Sequence, residues 1–192
     1  MTELPAKFVS SEDELLILVD AADNATGHMS KAKCHDGGGI LHRAFSVFLF
    51  NDRGELLLQQ RGPNKRLWPM HWSNSCCSHP RKDESIDIAT ERRLQEELNV
   101  VATLEYVYKF AYQASFGALG SENELCSVFI GRIEDEASAN ASEIKALRFV
   151  TADALRTELA ANPDSFTPWL KLELQRLTGE FAETLAMYCT PR

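Results

Sequence analysis

The feature that most constrains this chain is an extended segment, Asn-Ser-Cys-Cys-Ser-His-Pro (74–80), followed closely by an acidic helix (91–98). Alternate side chains of an extended segment point to the same face, so Cys77 and His79 can share a pocket while Cys76 points away. A thiol, an imidazole and a row of carboxylates therefore meet in one short unit. Such a pair can equally be a small buried side chain beside a capping residue, so other parts of the sequence must decide its role.

Length and composition restrict the class of protein. The 192 residues, 44% apolar and 25% charged, suit one globular domain with a full hydrophobic core. A net charge of −8 argues against nucleic-acid binding, which needs a basic face, but allows a small anion held by a few Arg and Lys. Five cysteines, an odd number, favour a reducing compartment. The N-terminal segment lacks a secretory pattern and no apolar run approaches the ~18 residues of a membrane span, so we expect a cytoplasmic protein without membrane contact.

The pattern of apolar residues predicts an α+β fold, with a mixed sheet flanked by helices in one domain. Strands are expected at residues 14–20, 45–50, 55–60, 102–112, 123–132 and 146–150. Helices are expected at residues 84–98, from Thr151 onward, and as one amphipathic helix over 164–187. Gly54 permits the turn of a hairpin, Ser85 or Asp83 can begin the first helix, Asn99 can end it, and residues 24–27 are expected to form a polar connection.

Charged residues repeat along the first helix at helical spacing. Arg93 and Glu97 fall four residues apart on one stripe, and Arg92 and Glu96 lie on the neighbouring stripe. Solvated ion pairs would explain this pattern in an isolated helix. With Glu84 ahead of it, however, the pattern resembles the Nudix box, a loop–helix–loop that holds a magnesium ion against a diphosphate.

Three positions depart from that box. Ser78 occupies the position of the first glycine of the box, and Asn99 occupies that of its second glycine. Arg93 occupies the position of one of its glutamates. Nudix pyrophosphohydrolases use these glutamates to hold metal and to help activate water. A cation in place of one carboxylate disfavours hydrolysis and suits holding a diphosphate.

Several further motifs indicate the branch of the superfamily. They are Arg-Gly-Pro-Asn-Lys-Arg-Leu-Trp-Pro-Met-His-Trp (61–72), Leu-His-Arg-Ala-Phe (41–45), His35, Tyr112, Glu-Asn-Glu (122–124) and Pro-Trp (168–169). In this order and spacing the chain resembles type 1 isopentenyl diphosphate isomerases, which are Nudix-fold enzymes. The resemblance covers residues 30–170 and implies one Nudix-like domain over 1–192, with N-terminal additions, a catalytic core at 30–170 and a C-terminal helix at 164–187.

The resemblance implies two metal sites. The ligands of the first would be His35, His42, His79, Glu122 and Glu124. Mixed nitrogen and oxygen ligands suit Mn²⁺ or Zn²⁺ better than Mg²⁺. A second ion, Mg²⁺, would bridge the substrate's diphosphate to Glu97. His28 and His71 receive no role.

The resemblance also implies the substrate and the chemistry. Diphosphate contacts would be Lys31, Arg61, Lys65 and Arg93. Interconversion of isopentenyl and dimethylallyl diphosphate would proceed by adding and removing a proton through a tertiary carbocation, with Cys77 and Glu124 as the acid–base pair and the direction of each left open. Tyr112 would assist proton delivery, and the face of Trp169 would stabilise the cation.

Two other functions are compatible with parts of this pattern. A Nudix pyrophosphohydrolase acting on nucleotide or isoprenoid diphosphates would need the glutamate that Arg93 replaces. A silent diphosphate-binding module would not need Cys77. We expect an isoprenoid diphosphate as the small-molecule partner, and a monomer.

Overall fold

One mixed β-sheet organises the chain in a computed structural model that describes residues 8–192. Its nine strands are β1 (Leu15–Val19), β2 (Ala25–Ser30), β3 (His42–Phe50), β4 (Leu56–Arg61), β5 (Trp72–Ser73), β6 (Cys76–Ser78), β7 (Leu104–Ser115), β8 (Ser121–Arg132) and β9 (Ile144–Val150). The helices are α1 (Lys31–Cys34), α2 (Ile86–Leu98), α3 (Ala152–Ala161), α4 (Pro168–Thr178) and α5 (Ala182–Cys189), with a 3-10 turn at Pro163–Ser165. Within residues 8–192, none of these helices is both long and apolar enough to cross a membrane. The segment without a secretory pattern, residues 1–7, lies outside the described range.

Strand β3 lies at the centre of the sheet. It pairs antiparallel with β1, β4 and β6 and parallel with β8, and β7 extends the sheet beyond β8. The hairpin predicted around Gly54 forms, with a φ of +72° at that glycine, but β3 and β4 pair only at Phe50 and Leu56. Strands β3 and β4 then separate, and β6 takes the place of β4 as the partner of β3. This brings the Cys77 segment into the sheet.

The two faces of β3 bury two different apolar layers. Phe45, Val47 and Leu49 pack with α2, whereas Phe48 and Phe50 pack with α4 and α5. The alternation follows from the two-residue period of a strand. The prediction of a mixed sheet flanked by helices is therefore confirmed.

Helix α2 forms as its local signals predict. The Ser85 side chain accepts a hydrogen bond from the backbone N–H of Ile88, and Asn99 ends the helix in the left-handed region with a φ of +54°. Leu94 and Leu98 are fully buried against the sheet. Truncating either to alanine would cost about 2–5 kcal/mol of stability.

Two sequence predictions about the fold are wrong. Residues 24–27, expected as a polar connection, belong largely to β2, because pairing with β1 satisfies their backbone groups. The single helix predicted over 164–187 is interrupted at Gly179, where α4 ends, and α5 begins only at Ala182. Glycine is a weak helix former, so the helix ends there although the apolar stripe of the sequence continues beyond it. The short α1 also escaped prediction.

Candidate active site

A cavity of about 300 Å³ opens where β6, β7 and β8 meet the start of α4. All but two of the predicted site residues line it: Lys31, His35, Arg61, Lys65, Cys77, His79, Arg93, Tyr112, Glu122, Glu124 and Trp169. The exceptions are His42 and Glu97, which lie behind its wall. Residues from seven different elements and their loops thus converge on one space.

The parallel pairing of β3 and β8 builds the histidine and glutamate cluster. It sets His42 beside Glu124. Glu122 precedes Glu124 by two residues and therefore lies on the same face of β8. His79 enters from the end of β6 and His35 from the end of α1. One ligand atom from each of these five residues lies within 4.8 Å of all the others. The five side chains that the resemblance assigned to one ion therefore do lie together, and their composition is that of a divalent metal site.

Backbone carbonyls orient two of the imidazoles toward the centre of the cluster. Nδ1 of His35 lies 2.7 Å from the carbonyl oxygen of Lys31, and Nδ1 of His42 lies 2.7 Å from that of Ile40. Each Nδ1 therefore carries a proton. Nε2 of His42 then presents a lone pair, whereas Nε2 of His35 lies 2.8 Å from Oε2 of Glu122, whose charge raises the pKa of His35. Nε2 of His42 is buried and has no hydrogen-bond partner among the described residues. A buried lone pair without a partner is what an absent cation leaves, so this donor set fits a metal ion.

The electrostatics of the cluster agree with that fit. Burial and the neighbouring histidines lower the pKa of His42 to about 4, and the same causes lower the pKa of His79. Both imidazoles are therefore neutral near pH 7, the form that binds metal. Burial and the charge of Glu122 raise the pKa of Glu124, while Glu122 itself, held by His35 against the effect of burial, has its pKa lowered to about 2.

Glu124 also takes part in a hydrogen-bonded pair with Tyr112. The Tyr112 hydroxyl donates to Oε2 of Glu124 at 2.7 Å, and Nε2 of His79 lies 2.9 Å from the other oxygen, Oε1. One carboxyl group thus connects the metal cluster to a phenolic hydroxyl in the same cavity. Such a connection can relay a proton.

The thiol of Cys77 lies in the same cavity, where its hydrogen-bonding neighbours are neutral side chains. The β3–β6 register sets Cys77 opposite Ser46, and Cys76 is fully buried in the apolar layer under α2, so the expected alternation of faces is observed. The Cys77 thiol donates to Oδ1 of Asn74 at 2.7 Å. Burial raises the pKa of Cys77 to about 12, and the thiol is therefore protonated near pH 7.

Four basic side chains surround the cavity. Lys65 pairs with Glu143, and Arg93 pairs with both Glu97 and Glu143 in a buried network. Lys31 donates to the Ser10 hydroxyl at 2.7 Å. The carboxylate that the sequence analysis assigned to Mg²⁺, that of Glu97, is thus held by Arg93.

The fourth basic residue, Arg61, is fixed beside Trp169. It donates to the backbone carbonyls of Leu67 and Trp68, and its guanidinium carbon lies 5.1 Å from the centre of the Trp169 ring. The indole N–H of Trp169 donates to the Ser73 hydroxyl at 2.9 Å. Trp169 is 2% exposed, so it is at once a core residue and part of the cavity wall.

The sequence analysis missed three polar residues of this region. Glu143 lies in a polar loop before β9, where no motif marks it. Ser46 alternates with apolar residues of β3, and only the pairing with β6 brings it to Cys77. Glu173 had a visible signal, because it is an acid on the apolar stripe of α4, between Leu170 and Leu177.

Comparison with known proteins places this site in a family. The NUDIX domain model matches residues 40–170, so fold and site define a Nudix-domain protein. Two solved structures show the same fold. The first, a Deinococcus radiodurans protein, has a TM-score of 0.64 and 23% identity, and the match covers 77% of this chain and 90% of that protein. The second, a C. elegans Ap4A hydrolase in a binary complex, has a TM-score of 0.53 and 14% identity, and the match covers 73% of this chain and 98% of the hydrolase.

Curated relatives narrow the class. Isopentenyl-diphosphate Delta-isomerase 1 of Photorhabdus laumondii is 41% identical over 162 residues, 83% of this chain and 92% of its own length. Isopentenyl-diphosphate Delta-isomerase of Serratia proteamaculans is 43% identical over 157 residues, which are 82% of this chain and 87% of the length of that protein. The chain belongs to the isopentenyl-diphosphate Delta-isomerase family.

Proposed function

We propose that this protein interconverts isopentenyl diphosphate and dimethylallyl diphosphate by proton addition and removal. The observation that carries the proposal is that two proton-transfer groups, the Tyr112–Glu124 pair and the Cys77 thiol, line one cavity. Moving the double bond requires a proton on one carbon and the loss of a proton from another. A tertiary carbocation lies between the two steps, and it must be protected from water.

The residues of the cluster would hold a divalent ion, Mn²⁺ or Zn²⁺, through His35, His42, His79, Glu122 and Glu124. A second ion, Mg²⁺, would be held by Glu97 with the substrate's diphosphate. Bound metal supplies positive charge that keeps carboxylates ionised and neutralises phosphate oxygens. The buried Glu122–Glu124 pair supports the first site, because two adjacent carboxylates with raised and lowered pKa values do not both ionise easily without a cation.

Each catalytic group would perform a proton transfer on its own atom. The Tyr112 hydroxyl, bonded to Oε2 of Glu124, would pass a proton between that carboxyl and the substrate. Cys77 Sγ would exchange a proton at the other reacting carbon, with Asn74 Oδ1 accepting the S–H in the resting site. The order of donor and acceptor reverses with the direction of the reaction.

The basic residues would bind the diphosphate. Arg93 and Lys65 are preordered by Glu143, so phosphate oxygens would replace part of a carboxylate interaction rather than order two free side chains. Lys31 and Arg61 complete the positive surroundings. The indole of Trp169, which already faces the Arg61 guanidinium, would present its π system to the developing carbocation.

Location and assembly form part of the proposal. All five cysteines are free thiols, which supports a reducing compartment such as the cytoplasm. We propose a functional monomer, which light scattering of the active enzyme would test.

The test is an incubation of purified protein with isopentenyl diphosphate and Mg²⁺, followed by assays of both dimethylallyl diphosphate and free phosphate. We expect the allylic isomer and no phosphate. Release of phosphate would indicate a pyrophosphohydrolase instead, and neither product would indicate a binding module.

A further inference from the structure

Glu173 is a fully buried carboxyl group that none of the roles above uses. It follows Trp169 by one turn of α4, so both side chains face the sheet beside the cavity. Its Oε2 has no hydrogen-bond partner among the described residues, and no cation of residues 8–192 forms an ion pair with it. A buried charge without a partner is costly. The surroundings therefore favour the protonated carboxylic acid.

A chain of hydrogen bonds leads from Glu173 to the thiol. The Ser46 hydroxyl lies between the Glu173 carboxyl and Cys77, and it donates toward Cys77 Sγ at 3.6 Å. The Cys126 thiol bridges the same two groups, 3.6 Å from Ser46 Oγ and 3.7 Å from Glu173 Oε1. The thiol in turn donates to Oδ1 of Asn74. The orientation of that amide is fixed, because its Nδ2 donates to the backbone carbonyls of Val47 and Cys76.

The direction of this chain depends on the Glu173 proton. The Ser46 hydroxyl has a single proton to donate. When Glu173 is neutral, its O–H can donate to Ser46 and leave the Ser46 proton for the sulfur of Cys77. When Glu173 is ionised, the carboxylate accepts the Ser46 proton and the sulfur loses its donor.

We propose that Glu173 is a positioning residue for the Cys77 thiol: as a neutral carboxylic acid, it directs the Ser46 hydroxyl toward the sulfur. This inference rests on the proposed function, in which Cys77 transfers a proton. A donor aimed at the sulfur stabilises it when it gives its proton to the substrate and holds it in place when the proton returns.

The titration of Glu173 supports this role. Burial raises the pKa of Glu173 to about 8, although hydrogen bonds from Ser46 and Cys126 oppose the shift. The titratable groups that face it are Cys77 on β6, Cys126 and Glu124 on β8, and Tyr108 on β7, whose hydroxyl donates to the backbone carbonyl of Glu173. Each is neutral or adds negative charge, so none favours the carboxylate.

Two substitutions separate the role of the proton from that of the side-chain volume. Glu173→Gln supplies an N–H that donates as the acid does, whereas Glu173→Leu supplies no donor. We expect Glu173→Leu to lower kcat about tenfold with little change in KM, the usual worth of one hydrogen bond, and Glu173→Gln to restore it. Equal kcat in the wild type and Glu173→Leu, or equal loss in both folded variants, would overturn the proposal.

Alkylation of Cys77 provides a readout that does not depend on isomerase activity. At one fixed pH, iodoacetamide labelling of Cys77 should be several-fold slower in Glu173→Leu than in the wild type or Glu173→Gln, while the half-buried Cys189 reacts equally in all three. The same Cys77 rate in all three proteins would refute the positioning role even if the wild type isomerises its substrate. Absence of isomerase activity together with this labelling pattern would refute only the proposed function.

The protonation state can be measured through stability. The ordinary pKa of 4.5 applies to the unfolded chain and about 8 to the folded protein, so between these values only the unfolded chain is ionised. Stability is therefore lost as the pH rises through this window, and Glu173→Gln escapes the loss. The Tm of Glu173→Gln minus that of the wild type should increase from about pH 5 to about pH 8. A constant difference would show that Glu173 is not a buried neutral acid.

Discussion

The two walls of the cavity place buried polar groups under opposite electrostatic conditions. On one wall, Glu122 and Glu124 lie among three imidazoles, with an unpartnered Nε2 on His42. On the other wall, the Cys77 thiol has the neutral hydrogen-bonding neighbours Ser46 and Ser73 and donates to Asn74. The first wall is complete only with a cation, whereas the second is satisfied by hydrogen bonds alone.

This difference suits the proposed chemistry. In the proposed mechanism, proton transfer at the carboxylate wall would depend on metal charge, and at the thiol wall it would depend on the direction of a few hydrogen bonds. A flat hydrocarbon between the two walls can receive a proton on one side and lose one on the other. Metal removal and thiol substitution should therefore each stop the reaction for a different reason.

Substituting the thiol should have the largest effect. Cys77→Ala is expected to abolish isomerisation, because it removes one of the two proton-transfer groups from the cavity. Cys76→Ala is the matched control: it truncates a fully buried neighbour on the other face of β6 and should leave most of the activity. Steady-state kinetics and iodoacetamide labelling of Cys77 would check this, and a dead Cys76→Ala variant that still folds would contradict the assignment of faces.

Substituting the carboxylate wall should remove the tight ion. His42→Ala or Glu122→Gln should lower metal affinity by more than about 100-fold, since even a group that only orients a ligand is worth about 10- to 100-fold. Elemental analysis of the purified protein would measure the loss, and activity should fall with it. Glu97→Gln is the comparison variant, because Glu97 lies behind the cavity wall, paired with Arg93. It should keep the tight ion but weaken substrate-dependent Mg²⁺ binding, and equal loss in all variants would reduce the two sites to one.

The smallest effect is expected at Trp169, between the walls. A diphosphate analogue with an ammonium group at the tertiary carbon should bind more tightly than substrate, and Trp169→Phe should reduce this advantage. A desolvated cation over an indole is worth roughly 2 kcal/mol, or about 30-fold in affinity. Lys65→Gln, which affects only the diphosphate, should weaken analogue and substrate alike. If Trp169→Phe weakened both equally, the role of Trp169 would be packing.

Local signals explain which parts of the fold could be predicted. Ser85 and Asn99 determine the ends of α2 through contacts within the same few residues, so the sequence predicts that helix closely. The strand at residues 25–30 depends instead on pairing with β1, and its polar composition hid it. At Gly179, one backbone break outweighed an apolar stripe that continued through it.

The site divides in the same way. Cys77, His79 and Glu124 lie in motifs whose spacing can be read along the chain. The contacts of Ser46 with Cys77 and of Glu143 with Lys65 arise only when distant segments pair, so no local pattern reveals them. Glu173 is intermediate, since an acid on an apolar helical stripe signals a special environment but not what the acid contacts.

Isotope incorporation tests the central claim most directly. In D₂O, the purified protein should convert isopentenyl diphosphate to dimethylallyl diphosphate that carries deuterium in a methyl group, because the proton added at the terminal carbon comes from an exchangeable group of the site. The proton lost from the methylene group next to the tertiary carbon should pass to solvent, and no phosphate should be released. Product without deuterium would contradict the account, since it would require an internal hydrogen shift that uses neither Cys77 nor the Tyr112–Glu124 pair.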